Sequence, residues 1–438
     1  MTGSNRTGGR SVSRRTVLGS IGAAGLTLTA GCLGDDEPRG EWPRFRRNAR
    51  NTGHAPDAEG PIDRPEPLWR SRLSNDIWGS PAIVDDGVYV PDYAGRIYRL
   101  DADDGEEDWR FQTDEMVDSS PTVHDGVVYV GSFDEHVYAI DADSGEERWA
   151  YEADGIVRSS PAVVDDTVYV GTNCQFTECD RYFDEDFEDI GHLVALDRET
   201  GELQWEFETD LEVVSSPAVD ETRVYVGSSD GNLYAVERDT GELAWQFTAT
   251  APIGASPTLH DDRIYVGDQQ CNVFAIDAAS GDREHHIRLE GLLLQSSAAT
   301  DGEGLYLSTG GYQIRHDDDD IEWASKAFRL STADLSIEWD HTMTGQMSGS
   351  SPALAGETVF FATHNIPGFP HEDRTGGTGT MDEDAGLFAF DRAGEERWRA
   401  TMRTVNFIRG ERGFGSSPAV VDERLYIAGP SDHVYCFE

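Results

Sequence analysis

SSPAVVDDTVYVGT spans Ser159–Thr172, and close copies recur: SSPTVHDGVVYVGS at Ser119–Ser132, SSPAVDETRVYVGS at Ser215–Ser228 and SSPAVVDERLYIAG at Ser416–Gly429. The proline of each copy is a ruler. Pro81, Pro121 and Pro161 stand 40 residues apart, followed by Pro217, Pro257, a degenerate Ala298, Pro352 and Pro418, which makes eight copies. Within one copy, β-branched and aromatic runs such as Val127–Val130 and Val137–Ile140 read as short strands. The stretch DADSGEERW, Asp141–Trp149, reads as a tight turn at Ser144-Gly145 leading into an outer strand. Each copy therefore supplies four strands.

A unit of about 40 residues and four short strands has the period of a β-propeller blade. One blade cannot bury both of its faces, so neighbours must stack and the ring must close. Trp69, Trp109, Trp149, Trp205, Trp245, Trp339 and Trp398 fall at one position of the repeat, with His285 in the fifth copy. A large aromatic at a fixed place in every unit reads as the wedge between blades. The ends predict how the ring closes. Glu66–Leu73 is a Trp strand with no partners before it, and Ser416–Glu438 stops before its own Trp strand. Joining them gives an all-β, eight-bladed, four-stranded propeller with no open edge.

The 438-residue chain carries a formal charge of −48, and Lys326 is its only lysine. Such surfaces resemble those of proteins from salt-loving archaea, where dense salt screens self-repulsion. The charge argues against nucleic-acid binding, which needs a basic footprint. At the N-terminus, Arg14 and Arg15 precede a small apolar run from Val17 to Ala30 that ends at Gly31-Cys32. Ser13–Leu18 is similar to a twin-arginine export signal, and Thr29–Cys32 resembles a lipobox. Residues 1–31 read as the signal, 32–65 as a lipid-anchored tether and arm, and 66–438 as the propeller. Cleavage before Cys32 removes four arginines and takes the charge from −48 to −52. An oxidising destination makes Cys174–Cys179 a plausible local disulfide. Cys271 and Cys436 read as unpaired.

The pattern Asp-x-x-Ser/Thr-Gly-Glu-x-x-Trp, as in DRETGELQW at Asp197–Trp205, resembles the tryptophan-docking repeat of pyrroloquinoline quinone (PQQ) propellers. That resemblance implies two branches. PQQ-dependent alcohol or sugar dehydrogenases hold the quinone and a calcium ion on the axis; BamB-like lipoproteins are eight-bladed scaffolds without cofactor. This chain has no Cys-Cys pair of the kind many of those alcohol dehydrogenases carry, and no motif matching their calcium acids. The reading is an exported, lipid-anchored scaffold, monomeric, with no cofactor and with other exported or membrane proteins as partners. A PQQ- and calcium-dependent oxidoreductase is the alternative, and a glycan- or solute-binding module a further one.

Strands of a meander alternate in direction, so second-to-third loops and blade-to-blade links share one rim. Insertions at 173–191, 310–325, 364–386 and 399–415 all belong to those two classes. They carry Phe176, Tyr182, Phe183, Phe187, Tyr312, Trp323, Phe369, Phe407 and Phe414, aromatic anchors of the kind protein interfaces use. On the same rim, Trp78, Asp118, Arg158, Val214, Ala255, Gln295, Gly349 and Gly415 are expected to ring the axial mouth. Asp118, Arg158 and Gln295 there suit a small polar ligand. Other constellations are weaker. Gly105 follows Asp101 by four residues where an EF-hand needs five. His316–Asp320 and Asp184–Asp189 read as solvated acidic loops, and His371–Arg374 lacks the second histidine of a zinc hydrolase. Glu41–Pro56 is locally basic, with four arginines suited either to anionic headgroups or to the propeller's acidic flank.

Overall fold

A computed structural model describes residues 40–173, 190–315, 321–345, 350–365, 386–401, 412–429 and 432–438. They form eight blades of four antiparallel strands arranged as a propeller, with His54–Ala55 of the N-terminal arm added in parallel to the innermost strand of blade 7. Blade 1 runs outward from the axis as Ala82–Val84, Gly87–Asp92, Arg96–Asp101 and Glu107–Gln112. Blades 2 to 7 repeat this order.

Blade 8 is built from both chain ends. Ala419–Val421, Arg424–Gly429 and His433–Phe437 supply its inner strands, and Pro67–Arg72 supplies the outermost. Trp69 lies opposite Cys436 and Arg72 opposite His433. The N-terminal Trp strand thus completes the last sheet, as its missing partners predict.

The repeated serines divide two tasks between them. The first serves its own blade in several copies: Ser119 Oγ accepts the Gly131 N–H at 3.1 Å and Ser215 Oγ the Gly227 N–H at 2.8 Å, whereas Ser159 Oγ donates to Ser215 C=O of the next blade at 3.0 Å. The second joins blades. Ser80 N–H donates to Ser120 Oγ, Ser120 to Ser160, Ser160 to Ser216 and Ser216 to Ser256, at 2.8 to 3.1 Å. Ser256 continues to Ser297, Ser297 to Ser351 and Ser351 to Ser417, each at 2.9 Å. Ser417 N–H then returns to Ser80 Oγ at 2.9 Å. Eight identical bonds close on themselves around the axis.

At the periphery the tryptophans perform the matching task. Trp109 Nε1 donates to the Ala142 carbonyl of the next blade at 2.9 Å, and Trp149, Trp205, Trp245 and Trp339 repeat the contact. Trp69 does the same from blade 8 to Ala102. The receiving turn needs glycine for two reasons: Gly145 sits at φ 71°, and a Cβ there would lie 2.7 Å from the Trp109 ring. The turn's aspartate serves its own backbone. Asp141 Oδ1 accepts from Asp143 and Ser144 N–H, and Asp101 Oδ1 likewise accepts from Asp103 and Asp104, so these acids brace turns.

Two departures from the repeat compensate each other. Blade 5 has His285 in place of the tryptophan, and the turn that would receive it has Leu335 in place of glycine. Leu335 is 1% exposed, sits at φ 59° and joins Tyr265 and Leu330 in the local core. At the chain break, blade 8 has no third-to-fourth turn, and Trp398 donates instead to the Pro61 carbonyl of the N-terminal arm at 2.9 Å.

If the serine ring joins the blades, Ser256→Ala leaves the buried Ser216 N–H without an acceptor. The expected cost is about 1–3 kcal/mol in chemical denaturation; a change within about 0.5 kcal/mol, ordinary for an uncommitted surface site, contradicts that role.

Candidate axial site

The innermost strand of each blade turns one edge toward the axis, where its N–H and C=O groups have no partner from a neighbouring blade's strand; in blade 7 the arm's His54–Ala55 pairs there in parallel with Leu354–Ala355. The N-terminal arm covers that edge in blade order. Trp42 exchanges two hydrogen bonds with Ile83 of blade 1, and Pro43 C=O accepts from Val123 of blade 2. Ala49, Arg50, Thr52 and Gly53 carbonyls then accept from Val219, Leu259, Thr300 and Leu354 of blades 4 to 7. Finally Glu59 and Gly60 donate to the Asp422 carbonyl of blade 8. The arm therefore makes a circuit of the axis before entering its outer strand. Neither flank wrapping nor headgroup contact, the two uses expected of its arginines, describes Arg44 and Arg46, which are buried inside.

Those side chains fill the channel one layer beyond the serine ring. Arg44 donates to Pro217 C=O, Arg46 to Pro352 and Ala298 C=O, and Asn51 to Ser216, Pro217 and Pro257 C=O. Burial alone lowers Arg46 to about 9. Gly53 is held at φ 60°, and a Cβ there would strike the Arg46 guanidinium at 2.3 Å.

The arm leaves a cup of about 190 Å³ open toward the other rim. Phe45 and the eight ring serines line it, and Trp78, Asp118, Arg158, Val214, Gly254, Gln295 and Gly415 stand around its mouth. Trp78, Asp118, Arg158, Val214, Gln295 and Gly415 occupy the expected places. Blade 5 differs: Gly254 takes the mouth position, and Ala255, one residue on, is buried in the core. Gly349 lies outside the described residues.

One carboxylate stands among these lining residues. Asp118 Oδ2 accepts from Arg158 Nε and Nη2 at 3.1 and 2.8 Å, and its Oδ1 accepts from Tyr93 Oη at 3.0 Å. Trp78 stacks on Tyr93 with centroids 6.4 Å apart and meets the edge of His364 at 5.3 Å. Burial pushes His364 down to about 4. Calcium takes six to eight oxygens, several from carboxylates, and no cluster of three or more His, Cys, Asp or Glu side chains suited to a metal occurs among the described residues. The donors lining the cup do not fit a calcium–quinone pair.

Of the insertions, only parts are described. Gly304–Arg315 and Ile321–Ser331 pair through Tyr312↔Ala324 and Gln313↔Trp323, so the excursion expected as a loop at 310–325 is a prolonged two-stranded ribbon. His364–Asn365 pairs with Arg412–Gly413, bringing the blade 7 insertion and the link to blade 8 together beside Trp78. Phe414 does not belong to an exposed rim. It is 1% exposed and packs edge-on against Tyr435 and Phe437. Phe176, Tyr182, Phe183, Phe187, Phe369 and Phe407 lie outside the described residues, as do Cys174, Cys179, Cys32, Arg14 and Arg15. Cys271 and Cys436 are free and buried.

The family model described as outer membrane protein assembly factor BamB matches residues 62–182 and 189–365. No curated protein matches the chain by sequence. Among solved structures, the quinohemoprotein alcohol dehydrogenase of Comamonas testosteroni is similar at TM-score 0.70 and 14% identity, over 91% of this chain and 80% of that one. Quinohemoprotein alcohol dehydrogenase ADHIIG of Pseudomonas putida HK5 gives 0.68 and 16%, over 91% and 80%. BamB of Moraxella catarrhalis gives 0.63 and 16%, over 86% of this chain and all 100% of that one. At these identities the likeness establishes the fold, which the two alcohol dehydrogenases and BamB share.

Two imidazoles, His364 buried and His54 half-buried, give the fold a pH dependence. His54 and His364 both have folded values near 4 against an ordinary 6.5. The unfolded chain therefore binds more protons between those values, and stability is expected to fall as pH drops from about 6.5 toward 4. The double variant His54→Gln, His364→Gln should have a flatter stability–pH profile in that window; an unchanged slope contradicts this assignment.

Proposed function

Because this chain belongs to the BamB family of PQQ-like repeat propellers, we propose that it is a non-catalytic binding scaffold, exported through Arg14-Arg15 and lipid-anchored at Cys32. Its working surface is the rim that carries the insertions. The observation that carries this reading is the one-sided axis. The arm occupies the channel from the short-turn side, and the remaining opening faces the insertions.

A lipid on Cys32 would act through the arm's point of entry. At Gly40 a Cβ would lie 3.4 Å from Asp422, in the first-to-second turn of blade 8. The eight Cα–Cα steps from Cys32 to Gly40 span at most about 28 Å when fully extended. An anchor of that length holds the short-turn rim toward the bilayer and presents the insertion rim outward. Aromatics on that rim, Tyr312 and Trp323 on the ribbon included, suit partners that are themselves exported or membrane-bound proteins. The acidic, lysine-poor surface suits a high-salt exterior, where screening removes the cost of the charge.

In-cell crosslinking from a photoreactive residue at 323 is expected to capture membrane or exported proteins, and deletion of 366–385 to reduce that capture several-fold. An unchanged crosslink pattern, or none, contradicts the rim assignment. Dye-linked oxidation of alcohols or sugars by the purified chain given PQQ and calcium would replace the scaffold reading with the oxidoreductase one; no turnover is expected.

A further inference from the structure

The ring serines satisfy the fold with only half of their hydrogen-bonding capacity. Each Oγ accepts one N–H from the preceding blade, while a serine hydroxyl also carries a proton to donate. Among the described residues, none of the eight hydroxyls has a protein acceptor for that proton. All eight line the same cup. Eight donors of one kind therefore converge on one small volume from every side of the axis.

What stands around them sets the sign of the ligand. Directly beyond the ring lie the guanidinium groups of Arg44 and Arg46. Their contacts there run to the carbonyls of Pro217, Ala298 and Pro352, each the residue that follows a ring serine. Arg46 is 2% exposed, so its charge is poorly screened by solvent. At the mouth, Arg158 adds a third guanidinium, 40% exposed. The carboxylate among the described lining residues, Asp118, has both oxygens engaged by Tyr93 and Arg158, and Glu212 faces Arg158 from outside the lining. A hydroxyl oxygen can also face a cation through its remaining lone pair, but a cation here would sit above two buried guanidinium groups. In a chain with a formal charge of −48, two buried guanidinium groups set directly behind the cup are a local exception.

We propose that the axial cup is a binding site for a small anion, a halide or a carboxylate of a few heavy atoms, held by serine hydroxyls converging on the axis. The volume of about 190 Å³ would hold about six waters, which leaves room for such an anion and part of its hydration. The assignment is independent of the scaffold reading, because it concerns only what the axis holds.

Crystals of the full chain grown with sodium bromide in place of chloride, and others with rubidium in place of potassium, distinguish the possibilities. The expected result is an anomalous bromide peak on the axis, within hydrogen-bonding distance of several ring Oγ atoms, and no rubidium there. In solution, chloride-35 NMR should show excess line broadening that acetate removes at least several-fold, and Arg158→Gln, at the mouth and outside the ring, should weaken it. A rubidium peak in the cup, water alone at molar bromide, or broadening indifferent to acetate overturns the proposal.

Discussion

The hydrogen bond from Ser417 N–H to Ser80 Oγ, 2.9 Å long between residues 337 apart in sequence, makes the serine ladder a circle. A single bond of this type contributes only about 1 kcal/mol net. Its consequence is larger, because the seven other links are the same bond repeated. Around the outside, pairing of Trp69 with Cys436 and docking of Trp69 on Ala102 close the same gap. Inner and outer rings together hold the blades at fixed spacing. The proline after seven of the eight ring serines, Ala298 being the exception, fits this design, since it brings no N–H to the exposed axial edge while its carbonyl stays available to the arm.

Closure creates an axial problem as well as solving an edge problem. Eight innermost strands leave unpaired backbone groups around a channel, and buried groups of that kind are costly unless paired. The arm answers with a succession of backbone carbonyls and with the side chains of Arg44, Arg46 and Asn51. The same solution divides the ring into unequal faces. One side holds short, aspartate-braced turns and the arm; the other holds the cup, Trp78, His364 and the bases of the insertions. The first side is consumed by the fold, which leaves the second open.

Blade number, strand order, tryptophan docking and the clasp were legible because each is written eight times or is conspicuous by being cut in half. The arm's circuit was not legible. Its partners are mostly backbone groups, which leave no side-chain signature in the strands they belong to. Its only signals were four arginines without a neighbouring acid and Gly53, whose missing Cβ makes room for Arg46. The mouth residue of blade 5 was misplaced by one because GASP carries a single serine, so Ala255 was counted where Gly254 stands. Phe414 shows a signal that was present but unread. Three residues before the ring serine stand Ile77, Val117, Val157, Val213, Ile253 and Leu294, each at most 1% exposed. An aromatic in that column belongs to the core whatever loop precedes it.

The central claim is that the two chain ends are joined as firmly as any internal pair of blades. Native-state hydrogen exchange across the SSP segments tests it most directly. Ser417 N–H, bonded to Ser80, is expected to exchange as slowly as Ser216 N–H, bonded to Ser256, both opening only with the whole ring. Fast exchange at Ser417 together with the outer strand Pro67–Arg72, while the other seven links stay protected, would mean that the ring opens at its seam and would contradict a closed ring.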